Sequence, residues 1–266
     1  MVDLLDRART AVGERAELPG MSLLDHLQEL RKRLVYSIVS IVVGFFVAYG
    51  FHQRISGMMI QPITRALSAH HLDTRLVYLN PVDPFNFYLK IGIFGGVILA
   101  APFILYQVWL FIAPGLYQNE RRYVVPFMAA TIGLFLAGAF FGYRYVSPGA
   151  LEFLIGYGEQ FRPMVTIGEY TELFLTVILG LGIIFELPIL VFFLALFGIV
   201  NSRWLWKNVR YAVLIIFIVA GIITPTPDIL TMCVFAAPML LLYLISIGVA
   251  HMVHPEHRNR KKAQEA

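Results

Sequence analysis

Residues 174–200 read FLTVILGLGIIFELPILVFFLALFGIV, an apolar run of 27 residues (200 − 174 + 1) with one charge in it, Glu186. About 20 apolar residues suffice for a helix to cross about 30 Å of hydrocarbon, so this run makes the chain an integral membrane protein. At the centre of a membrane helix an acidic side chain costs about 2.5 to 3.5 kcal/mol on insertion scales. Such residues normally face a bundle interior or a water-filled cavity. Two positions on, Pro188 removes a backbone donor and favours a kink. The run therefore predicts a bent helix with a hydrated recess around Glu186.

The rest of the chain agrees with this reading. Apolar residues make up 58% and charged residues 14% of the sequence, against about 45–50% and about 25% in soluble domains, and the mean hydropathy is +0.71. The pattern predicts one all-α, six-span domain over residues 21–253, between a mobile tail at 1–20 and a basic tail at 254–266. The spans fall at about Leu34–Phe51, Phe85–Ile112, Val124–Val146, Leu173–Val200, Tyr211–Ile223 and Ile229–Val253. The fifth has 13 residues (223 − 211 + 1) before the breaker TPTPD, about 20 Å of helix, which is less than a bilayer. Pro238 is expected to interrupt the sixth, so that the last two form a short hairpin with Thr224, Thr226 and Asp228 at its tip. The lone Cys233 can form no intramolecular disulfide and reads as a small buried hydrophobe.

Charge distribution sets the expected orientation. With six spans both termini share a side, and that side carries Arg7, Arg9, Arg15, Arg31, Lys32, Arg33, Arg121, Arg122, Arg203, Lys207, Arg210, Arg258, Arg260, Lys261 and Lys262. These are fifteen of the 21 basic residues, and the positive-inside rule makes that side cytoplasmic. The net charge of +4 needs no nucleic-acid partner, because basic flanking runs ordinarily meet anionic lipid headgroups. Residues 1–20 lack the apolar core of a signal peptide.

Two carboxylates stand on the expected cytoplasmic side. In SLLDHLQELRKRL, Ser22 is placed to cap a helix with Asp25 three residues on. Leu23, Leu27, Leu30 and Leu34 recur at helical spacing, which predicts an amphipathic surface helix leading into the first span, with Glu29 on its polar side. In FIAPGLYQNERRYVVP, Pro114 and Gly115 end the second span and Glu120 precedes the third. Each acid has an ordinary explanation: Glu29 can pair with Arg33 one turn on, and Glu120 can favour a helix N-terminus. As a pair on neighbouring elements they can also receive guanidinium groups in bidentate fashion.

HLQELRKRL before the first span, PFILYQVWLFIAPGLYQNERRYVVP across the second and third, GLGIIFELPI in the fourth and TPTPD between the last two resemble TatC, the receptor subunit of the twin-arginine protein translocase. The resemblance runs from about Ser22 to Val253. It implies a concave bundle in which Glu29 and Glu120 bind the paired arginines of signal peptides on folded precursors, with Arg31, Phe111 and Leu116 in or beside that surface. It implies further that Pro62 shapes an outer cap and that Glu186 keeps a concave face hydrated. Thr224, Asp228 and Met232 would lie where single-span TatA-type and TatB-type partners dock. Self-association in a multi-subunit complex, the proton gradient as energy source, a prokaryotic inner-membrane location and the absence of any cofactor are implied as well. Met232 replaces a family glutamine, and Leu244 stands where relatives commonly carry an acid, so the docking face is expected to be less polar than usual.

Two other classes compete. A proton-coupled secondary transporter also uses an intramembrane acid, but it commonly carries repeated broken helices in its two halves, and none is visible here. An intramembrane metalloenzyme would need ligands; HPEH at 254–257 lacks the HExxH spacing that puts two histidines on one helical face, and no metal site is expected. The sequence therefore points to a non-enzymatic receptor and translocase component.

Overall fold

The computed structural model describes residues 23–112, 124–158, 160–161, 163–224 and 229–253. The expected tails, the Ser22 cap, the Pro114–Gly115 stop and the tip residues Thr226 and Asp228 lie outside the described residues. Those described are helical apart from short connections and one isolated bridge between Val77 and Thr166.

The chain threads the bundle in antiparallel passes. Helix α1 (Leu23–Gly50) runs to the far end, where α2 (His52–Ala69) lies, and α3 (Asp83–Ile112) returns. Helix α4 (Val124–Phe141) continues through a π-helical turn, Gly142–Val146, into α5 (Ser147–Tyr157). Helices α6 (Ile167–Ile184) and α7 (Leu187–Leu196) make the fourth pass, a short α8 (Ser202–Lys207) follows, and α9 (Val209–Ile223) and α10 (Ile229–Val253) complete the bundle. Five passes are long and apolar enough to cross a membrane, and α9 is the shorter sixth.

Several expected boundaries move. Residues 23–33 form no separate surface helix; α1 is one unbroken helix of 28 residues, about 42 Å long, with Leu24, Leu27, Leu30 and Leu34 exposed. The third pass extends beyond Val146 to Tyr157, because Leu151 and Ile155 bury against the core beneath α2. The fourth begins at Ile167 rather than Leu173, because Thr166 and Glu169 cap it reciprocally: the Thr166 hydroxyl accepts from the Glu169 N–H at 3.3 Å and donates to its carboxylate at 3.0 Å. The sixth helix is neither short nor interrupted. It runs 25 residues through Pro238, with Phe235, Ala236 and Met239 buried on both sides of the proline; packing against neighbouring helices lets membrane helices keep a proline.

Helix α2 has no counterpart among the expected elements. It buries Met59, Pro62, Ile63, Ala66 and Leu67, one face at three- and four-residue steps. Pro62 cannot donate to the Met58 carbonyl one turn back. The Tyr143 hydroxyl supplies that donor at 3.2 Å, and the Tyr170 hydroxyl donates to the Met59 carbonyl. Two tyrosines from the third and fourth passes thus satisfy the backbone around the proline. Tyr143→Phe is expected to cost about 1 kcal/mol and Tyr170→Phe, which is buried, about 1–3 kcal/mol. Thermal unfolding in detergent micelles checks this: the midpoint should fall in both variants, further for Tyr170→Phe, and unchanged midpoints would dismiss the role.

Helix α1 joins the bundle mainly through α3, at a crossing of small residues. A Cβ on Gly44 would lie 2.6 Å from the Gly96 carbonyl oxygen, and one on Gly96 would lie 2.6 Å from the Phe45 nitrogen. Gly44 thus meets Gly96, and Ala48, four residues on, meets Gly95, where an added Cβ would lie 2.7 Å from the Ala48 Cβ. Small residues at this spacing let membrane helices approach closely.

Candidate functional site

Close packing of α1 on α3 sets the first candidate site near the start of α1. His26, Glu29 and Arg33 share one face of α1, and Gln107 and Phe111, four residues apart, share one face of α3. The His26 ring stacks on Phe111 with centroids 4.4 Å apart and planes 25° from parallel. One Arg33 nitrogen donates to Glu29 Oε1 at 3.1 Å and another to Gln107 Oε1 at 3.2 Å.

Only part of the Glu29 carboxylate is engaged. The side chain is 16% exposed, so this is no solvated surface pair of the kind that contributes little. Glu29 Oε2 and Arg33 Nε are buried and find no hydrogen-bond partner among the described residues. A buried acceptor without a donor costs about 1–3 kcal/mol, more when charged. The free Glu29 oxygen therefore favours an incoming hydrogen-bond donor, such as a guanidinium.

The second candidate is Glu186, at the junction between α6 and α7. Pro188 is buried and occupies the first turn of α7, and Glu186 N–H bonds back to Ile183 at 3.0 Å in a tightened turn. The run is thus divided into two helices at Glu186. Helix α4 presses on the junction: a Cβ on Gly138 would meet the Leu181 carbonyl oxygen at 2.6 Å and Phe185 at 2.8 Å. Glu186 Oε1 is buried and has no partner among the described residues.

The remaining expected residues are dispersed. Arg31 is exposed and stands outside the Glu29 network. Pro62 is buried in α2 at the far end of the bundle. Thr224 caps the end of α9, its N–H bonded to Ala220 at 2.8 Å and its hydroxyl buried without a partner among the described residues. Met232 covers Gly221, its methyl 3.2 Å from where a Cβ would sit, and so ties α10 to α9. Cys233 is exposed rather than buried. Glu120, Leu116 and Asp228 lie outside the described residues.

Sequence reasoning missed His26 and Gln107 and took the Glu29–Arg33 pair only as an ordinary ion pair. A signal for Gln107 was present: it is a lone amide in the apolar run KIGIFGGVILAAPFILYQVWLFI, and polar residues in membrane helices generally bond across helices.

The fold and these two carboxylates define a polytopic α-helical membrane protein, with a donor-seeking acidic site at one end of the bundle and a second acid at a helix break inside it. Comparison with known proteins gives the family. Residues 25–238 match the family model for the Sec-independent protein translocase protein TatC. A TatC protein of Koribacter versatilis is 60% identical over 263 residues, covering 98% of this chain and 97% of its own. One of Carboxydothermus hydrogenoformans is 38% identical, covering 89% and 95%. A crystal structure of a twin arginine translocase receptor, TatC, superposes with a TM-score of 0.75 at 35% identity, covering 85% of this chain and 97% of that one. The chain belongs to the TatC family of Sec-independent protein translocase proteins. That membership makes it a non-enzymatic component of a protein translocase and sets aside the secondary-transporter reading.

Proposed function

We propose that this chain is the receptor for twin-arginine signal peptides in a multi-subunit translocase that exports folded proteins. The observation that carries the proposal is the Glu29 carboxylate, oriented by Arg33 and Gln107 with one oxygen buried and unpartnered. One guanidinium of the paired arginines is taken by Glu29 and the other by Glu120, whose motif matches the family. Phe111, stacked under His26, is the apolar wall for the residues that follow the arginines; Arg31 and Leu116 contribute as their match to family positions implies. The apolar part of the signal peptide then lies along the bundle towards Glu186, whose buried oxygen offers an acceptor inside the membrane.

In this reading both termini and the Glu29 site face the cytoplasm, and Pro62 belongs to the outer cap. TatA-type and TatB-type single-span partners dock along α9 and α10 near Thr224, Met232 and Asp228, copies of the chain self-associate, and the proton gradient drives transport. No cofactor enters.

Binding of a twin-arginine signal peptide to the full chain in lipid nanodiscs tests the receptor role. Tight binding is expected, with loss of about tenfold or more for a twin-lysine peptide and for the Glu120→Ala variant, because lysine cannot make bidentate contacts. Equal, weak binding in all three would refute it.

A further inference from the structure

Helices α8 and α10 line an open recess of about 560 Å³, at the same end of the bundle as Glu29 by the order of the passes. On α8, Ser202 and Trp206 lie one turn apart, as do Arg203 and Lys207, and all four line it. Ile247, Gly248 and His251 of α10 form the opposite wall. The recess is held in place from both sides. The Tyr243 hydroxyl of α10 donates to the Leu205 carbonyl of α8 at 2.8 Å, and Leu205 is buried. Before α8, Gly198 adopts a φ of +73°, and the bonds Ile199 N–H to Leu194 (2.8 Å) and Gly198 N–H to Ala195 (3.0 Å) close a Schellman turn.

Charge in the recess has one sign. The sequence holds no Asp or Glu from 187 to 227 or from 229 to 255, so α8, α9 and α10 carry no acid. Arg203 and Lys207 are exposed and form no ion pair among the described residues. The His251 ring lies 3.4 Å from the Ser202 hydroxyl. This cationic mouth opens onto an apolar track: Leu241, Ile245 and Met252 are exposed on the face of α10 that also carries Gly248. At Gly248 itself an added Cβ would meet nothing within 4 Å. Trp206, in the lining, is exposed, as tryptophans are at membrane–water interfaces.

We propose that this recess is a binding site for one anionic phospholipid. Arg203 and Lys207 take its phosphate, the Ser202 hydroxyl and Trp206 indole bound the headgroup, and an acyl chain lies along Leu241, Ile245 and Met252. A soluble phosphate would use the basic groups and leave the apolar track and Trp206 without a role. Ordinary interfacial anchors would not converge on one concavity whose wall is opened by a glycine.

Native mass spectrometry of the full chain in mild detergent, titrated with phosphatidylglycerol or phosphatidylcholine, tests the site. The first phosphatidylglycerol should bind about tenfold tighter than phosphatidylcholine. The R203Q/K207Q double variant should lose that preference. Gly248→Leu, which fills the recess from its open side, should weaken binding of both lipids. Arg210→Gln should retain the preference, because Arg210 lies at the same end but outside the recess, against Tyr211 at 5.1 Å. Circular dichroism identifies misfolded variants, and if the double variant fails to fold, Gly248→Leu decides the question. Equal affinity for the two lipids, unaltered binding in Gly248→Leu, or equal loss in Arg210→Gln would overturn the proposal. Displacement of the bound lipid by millimolar inorganic phosphate would overturn it in favour of a free anion.

Discussion

Glu29→Gln is expected to weaken twin-arginine peptide binding by about ten- to a hundredfold, since hydrogen bonds to charged groups contribute about 1.5–3 kcal/mol and each 1.4 kcal/mol is a factor of ten. Glutamine keeps the shape of the side chain but replaces one acceptor by a donor, which faces the incoming guanidinium with like polarity. The partly buried setting matters, because 16% exposure of the Glu29 side chain limits the solvent screening that makes surface pairs weak. Gln107→Leu should act in the same direction but more weakly, by about threefold. It frees the Arg33 nitrogen now held at 3.2 Å and lets that guanidinium compete for both Glu29 oxygens. Fluorescence-anisotropy titration of labelled peptide into nanodiscs reads both effects. An unchanged affinity in Glu29→Gln, with the protein still folded, would remove Glu29 from the recognition surface.

How far the sequence discloses this arrangement depends on the kind of signal each part carries. Runs of apolar residues near bilayer length disclose the passes, because hydrocarbon thickness constrains length directly. The break at Glu186 was legible for a related reason: a charge and a proline two residues apart have few uses inside a membrane helix. Helix α2 was not read, although its buried positions 59, 62, 63, 66 and 67 carry the 3.6-residue period. An internal proline and a moderate share of polar residues hid it between spans, and only tertiary contacts from Tyr143 and Tyr170 show how the proline is accommodated. The extra turn and a half of α6 was written in Thr166 and Glu169 as a capping pair, a local signal overlooked because the charged segment read as loop. Glu29 was legible as a residue; its division into one engaged and one free oxygen was not. That division depends on Gln107, 74 positions from Arg33 in sequence, and therefore on the α1–α3 crossing.

The crossing supplies the other large expected effect. Gly96→Val should prevent stable folding, or lower the thermal midpoint in detergent by more than about 10 °C. Overpacking of a well-filled contact commonly costs about 1–3 kcal/mol, and more when no rotamer relieves it. At Gly96 none can, because the atoms a Cβ would strike are the Phe45 nitrogen at 2.6 Å and its Cα at 2.9 Å, backbone on the facing helix. Two membrane helices would have to separate, giving up the van der Waals packing that lipid cannot replace with a hydrophobic gain. Gly133→Ala is the matched control, since nothing lies within 4 Å of its added Cβ. In a helix interior that change should be neutral or stabilising by about 0.4–1 kcal/mol. The same variants bear on recognition, because Gln107 and Phe111 of α3 meet Arg33 and His26 of α1 only while the helices stay in contact. Any Gly96→Val protein that does fold should therefore bind peptide more weakly than the Gly133→Ala protein, although the glycine touches no ligand. Equal midpoints and equal affinities for the two variants would show that the Gly44–Gly96 contact neither holds the bundle nor aligns the site.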